Sequence, residues 1–77
     1  MTFAVAQTQI RTRRNPAAAV LRAAVERDLL LRAVAVRESL RQTGESFQAM
    51  TYADGVLIVS ATDTHRDLVG KVDELLG

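Results

Sequence analysis

The sequence predicts an α+β fold: an N-terminal arm or strand, one long helix, a β-hairpin and a short C-terminal helix. Three observations carry this. Asn15-Pro16 opens an apolar pattern of helical period that runs unbroken to Gly44. Asp54-Gly55 separates two β-rich runs. A second helical stripe, Leu68, Val69, Val72, Leu75 and Leu76, ends the chain.

The chain reads as one domain of four parts: residues 1–14 as an extended arm, 15–44 as the long helix, 46–61 as the hairpin and 62–77 as the short helix. In the arm, Phe3, Ala4, Val5, Ala6 and Ile10 alternate only loosely with polar residues, which suits a strand or an extended segment. Asn15 can accept an orphan N–H at the helix start, and Pro16 suits the first helical position. Gly44 supplies a left-handed stop. Arg22 with Glu26, Asp28 with Arg32, and Glu38 with Arg41 fall at helical spacings. In the hairpin, Asp54-Gly55 is expected as a two-residue turn with positive φ at both positions. That turn pairs Ala53 with Val56, Tyr52 with Leu57, Thr51 with Ile58 and Met50 with Val59, and leaves apolar residues on both faces. The last helix is expected to be capped by Thr62 or Asp63, and Gly70 is expected to shorten it, break it or admit another backbone.

Composition narrows the functional classes. A 77-residue domain buries only about 60% of the surface that its unfolded chain exposes, and domains this small usually lean on disulfides, a metal or oligomerisation. There is no cysteine, so self-association is the route expected. A formal net charge of +1 gives no global field toward nucleic acid or membrane. No signal peptide and no membrane span are expected, because Arg22, Glu26, Arg27, Asp28 and Arg32 interrupt the longest apolar candidate.

The long helix carries two stripes. Leu21, Val25, Leu29, Ala33, Val36 and Leu40 form the expected core face. Val20, Ala24, Leu31 and Ala35 form another, extended by Leu30 and Val34. A helix that is apolar on two sides is buried on two sides. One hairpin and one short helix are little material to wrap a helix of roughly 40 Å. The expected interface is therefore Val20, Ala24, Leu30, Leu31 and Val34, together with Phe3, Val5 and Ile10 of the arm; the other reading is that the terminal helix and the arm cover the second stripe within the same subunit.

No catalytic, metal or cofactor site is expected. His65 is the single histidine, and its neighbours Asp63 and Asp67 suit the polar first turn of a helix. No nucleophile motif, phosphate-binding loop or dinucleotide fingerprint occurs. Arg11, Arg13 and Arg14 lie beside the positive end of the long helix, where cations are unfavourable unless an anion joins them. Phosphate or the acidic residues of a partner would serve, and a solvated basic arm is the plainer reading. Aromatic residues for stacking on bases are few, namely Phe3, Phe47 and Tyr52.

The segments Arg37–Phe47 (RESLRQTGESF) and Asp54–Val69 (DGVLIVSATDTHRDLV), in the order long helix, Thr-Gly, hairpin, short helix, resemble the small head-to-tail connector and tail-completion proteins of tailed bacteriophages. The chain departs from that pattern after the second strand, where Thr64-His65-Arg66-Asp67 stands. The resemblance implies a non-enzymatic virion subunit that forms a ring between portal and tail, located in the virion or host cytoplasm. Its partners would be copies of itself and other assembly subunits, with no membrane, small-molecule substrate or cofactor. The alternative class is a small nucleic-acid-associated adaptor that places Arg11, Arg13 and Arg14 on backbone phosphates.

Overall fold

The computed structural model describes residues 16–77, which form a helix α1 (Pro16–Thr43), strands β1 (Phe47–Tyr52) and β2 (Gly55–Ser60), and a helix α2 (His65–Leu76). The fold class is α+β, and the long helix, hairpin and short helix follow in the expected order. The expected arm, with Phe3, Val5, Ile10, Arg11, Arg13 and Arg14, lies outside the described residues, as does the Asn15 cap.

Gly44 ends α1 as expected. Its φ is 79°, and its N–H donates to the Leu40 carbonyl at 2.9 Å. Of the three expected ion pairs along α1, Arg22–Glu26 (2.9 Å) and Arg41–Glu38 (3.0 Å) form, while Asp28 and Arg32 make no ion pair among the described residues.

The hairpin register differs from expectation by two residues. Tyr52 pairs with Gly55, Thr51 with Val56, Met50 with Leu57, Ala49 with Ile58, Gln48 with Val59 and Phe47 with Ser60. The turn residues are thus Ala53 and Asp54, and Ala53 holds the positive φ, 52°. Gly55 sits in the strand without a left-handed φ, so its role is steric: a Cβ there would run into the Cδ1 of Leu75 on α2. A glycine at this point lets the end of α2 close against the hairpin tip.

α2 begins one residue beyond the caps expected. Thr64 is the N-cap: its Oγ1 accepts from the Asp67 N–H at 3.0 Å, and the Asp67 carboxylate accepts from the Thr64 N–H at 2.9 Å. Gly70 does not break the helix. It is exposed, and a Cβ there would meet nothing.

α2 runs back along α1. Arg37 Nη1 donates to the Asp63 carbonyl just before α2, and Arg22 Nη1 donates to the Leu76 carbonyl at its end. α1 packs on both strands and α2 packs on β2. Between the helices and one face of the hairpin lies the core: Leu29, Ala33 and Leu40 of α1, Met50, Leu57 and Val59 of the sheet, and Leu68 and Val72 of α2. Each of these side chains other than Ala33 contributes about 1.5–3 kcal/mol by burial. The core stripe of α1 is shorter than expected. Val25 and Val36 are half-buried against the core, but Leu21 is 67% exposed and all of Pro16–Ala23 is exposed, because among the described elements only the end of α2 reaches those first two turns, at Arg22 and Ala23.

Candidate functional site

The two strands differ in how their outer edges are treated. In an antiparallel ladder, residues alternate between pairs that exchange hydrogen bonds and pairs whose N–H and C=O groups point away from the partner strand. The Ala61 N–H donates to the Ser46 carbonyl at 2.9 Å, continuing the ladder by one pair. The hydrogen-bonded pairs are then Gln48–Val59, Met50–Leu57 and Tyr52–Gly55. Phe47, Ala49 and Thr51 point their backbone groups off the β1 edge, and Val56, Ile58 and Ser60 point theirs off the β2 edge.

The β2 edge is capped at its Ser60 end. Asp63 is 8% exposed, and its Oδ2 accepts from the Ser60 N–H at 2.8 Å and from Lys71 Nζ at 2.8 Å. The Asp63 N–H donates back to the Ser60 carbonyl at 3.1 Å, and Lys71 Nζ also donates to the Ile58 carbonyl at 2.7 Å. Arg41 reaches the Ala61 carbonyl at 2.9 Å, and Arg37 reaches the Asp63 carbonyl at 3.2 Å. Burial alone would raise the Asp63 pKa. The Lys71 ammonium, the Ser60 N–H and the Arg37 charge outweigh that and hold the carboxyl below the ordinary aspartate value. Beside this edge, a cleft of about 430 Å³ is lined by Gly55, Val56, Ile58, Lys71, Glu74 and Leu75.

The β1 edge is bare. Among the described residues nothing bonds the outward backbone groups of Phe47, Ala49 and Thr51, and the strand FQAMTY carries no charge. Charged edge residues, bulges and covering segments are the usual protections against strand addition. The outer face of the sheet is apolar as well, with Phe47 63%, Val56 59% and Ile58 44% exposed. Sequence reasoning found apolar residues on both hairpin faces but did not place these three in an interface. The signal was available in the alternation once the core face is assigned to Met50, Leu57 and Val59.

The expected helix interface divides. Val20 (67%) and Leu31 (62%) are exposed, and Ala24 is half-buried. Leu30 and Val34 turn inward and pack half-buried against the core, because α2 covers that flank; Leu30, Ala23 and Glu26 face Val69 and Val72 across a groove of about 270 Å³. His65 opens α2 and is exposed. Among the described residues, no group of three or more His, Cys, Asp or Glu side chains could hold a metal ion, and no helix is long and apolar enough to cross a membrane. No protein-family model matches the chain, and no curated protein or solved structure shows significant similarity to it.

Proposed function

We propose that this protein is a non-catalytic structural subunit that works by associating with copies of itself and with other assembly subunits. The observation that supports this most is apolar surface left open on two sides of a thin core: Phe47, Val56 and Ile58 on the outer sheet face, and Val20, Leu21 and Leu31 on α1. Contiguous apolar surface of this kind marks interaction sites, and its desolvation is the main driving force for association. A ring-forming connector or tail-completion subunit of a phage virion is the particular assembly we favour, on the resemblance of Arg37–Phe47 and Asp54–Val69 and the helix, hairpin, helix order that joins them.

Sedimentation over a micromolar concentration series tests the reading. A species heavier than the 8.4 kDa chain is expected, persisting in sulfate because apolar contacts strengthen in excluded salts. A compact monomer at every concentration contradicts it.

A further inference from the structure

We infer that the β1 edge is a self-docking site: two copies of the chain pair β1 to β1 across a two-fold axis through Ala49, joining their hairpins into one four-stranded antiparallel sheet. The inference rests on the proposed self-association and names the edge through which it occurs.

The choice of edge follows from the hydrogen bonds. Asp63 already occupies both Ser60 groups and Lys71 the Ile58 carbonyl of the β2 edge, and α2 packs on β2. An incoming strand there would have to displace the Asp63–Lys71 ion pair. The β1 edge offers Phe47, Ala49 and Thr51 unbonded among the described residues, and uncharged.

The choice of partner follows from self-complementarity. Hydrogen-bonded pairing joins outward-pointing residues to outward-pointing residues, so the two-fold sets Phe47 against Thr51 of the partner subunit and Ala49 against Ala49 of the partner subunit. All three outward residues of both copies are used, which gives about six hydrogen bonds. The register also keeps each copy's apolar outer face on the same side, so Phe47, Val56 and Ile58 become part of one continuous surface. The nearest acidic residues, Glu45 and Asp54, fall opposite Ala53 and Gly44 of the partner subunit, so no like charges meet. On the helical side, α1 lies over both strands and α2 lies over β2, which makes α1 the inner helix of the pair. Its flank opposite the groove residues Ala23, Glu26 and Leu30 carries Leu21, Asp28, Arg32 and Ala35, all exposed. That flank holds one charge of each sign, neither ion-paired among the described residues, so it does not repel its copy. A six-residue strand edge buries less than the roughly 800 Å² per partner of a standard interface, which suits a weak contact, and the outer face remains open for further subunits.

Cysteine scanning in the full chain tests this directly, because the chain has no cysteine of its own. Residues in a hydrogen-bonded antiparallel pair have Cα atoms about 5.5 Å apart, within the range of about 4.4–6.8 Å that a disulfide spans, and Cβ atoms about 5–5.5 Å apart, which a small shift of the strands brings to the about 3.5–4.5 Å that the bond needs. Ala49→Cys should therefore self-link under mild oxidation. Thr51→Cys is exposed as well, but it lies roughly 14 Å from its own copy in this register and should link at least about tenfold more slowly. Equal rates, or no Ala49→Cys dimer in a chain that sediments as an assembly, overturn the β1 pairing while the proposed function stands. A different occupant of this edge, such as residues 2–12, would give that second result. If both variants and the parent chain sediment as monomers at all concentrations, the functional reading falls as well.

Discussion

β1 and β2 are strands of equal length in one hairpin, yet their outer edges are finished in opposite ways. β2 is followed within three residues by Asp63, a buried carboxylate that folds back on Ser60 and recruits Lys71 from α2. β1 is preceded by Gly44 and Glu45 and receives no side chain on its outward backbone groups among the described residues. A protein that only needed to remain monomeric would gain from closing both edges. Capping one and leaving the other bare and uncharged makes β1 the edge more open to strand addition.

The largest expected effect comes from the core beneath the capped strand. Leu57 is 3% exposed and sits between Met50 and the helices, so Leu57→Ala should destabilise the chain by about 2–5 kcal/mol in denaturant titrations. An effect below about 1 kcal/mol would mean that the hairpin is not packed as described. Next is the cap itself. Asp63→Ala leaves the Ser60 N–H without its partner and should cost about 1–3 kcal/mol. It should also add a second open edge, seen as a broader mass distribution in sedimentation; a variant as stable and as uniform as the parent would remove the distinction between the two strands.

Acid weakens the same cap by removing the Asp63 charge. Its folded-state pKa lies below the ordinary aspartate value, so its contribution is fully present above the unfolded pKa of about 3.9 and is lost as pH falls through the lower, folded value. Stability should fall as pH drops below about 4, and the fall should be shallower in Asp63→Asn than in the parent chain. Parallel curves would show that Lys71 and Ser60 do not hold the carboxylate in its charged form. The smallest expected effect is a gain. Gly70 is exposed in the middle of α2 with open space where a Cβ would go, so Gly70→Ala should stabilise by about 0.5–1 kcal/mol and leave assembly unchanged.

The order of elements was legible because local chemistry marks it: Gly44 stops α1, and the period changes from helical to alternating after it. The register was not, because a shift of two residues in the pairing keeps Met50, Leu57 and Val59 on the same face, and hydrophobic alternation is blind to it. The observed register agrees with two tertiary contacts that alternation does not report: Leu75 occupies the space beside Gly55, and Asp63 accepts from a Ser60 N–H that points outward. The same limit applies to the α2 cap. Thr62, Asp63 and Thr64 are all cap formers, and only the reciprocal bond with Asp67 singles out Thr64. For the interface, periodicity found the second stripe of α1, but which part of it α2 would cover depended on the packing angle of the helices. Leu30 and Val34 went inward, while Val20 and Leu31 stayed out.

Amide hydrogen exchange at low and high protein concentration tests the contrast between the edges most directly. The Ser60 N–H, bonded to Asp63 within the subunit, should be protected to the same degree at both concentrations. The Phe47, Ala49 and Thr51 N–H groups should exchange rapidly in dilute solution and become protected together as the chain assembles. If those three amides stay unprotected at concentrations where sedimentation shows an assembly, β1 is not the strand through which copies meet.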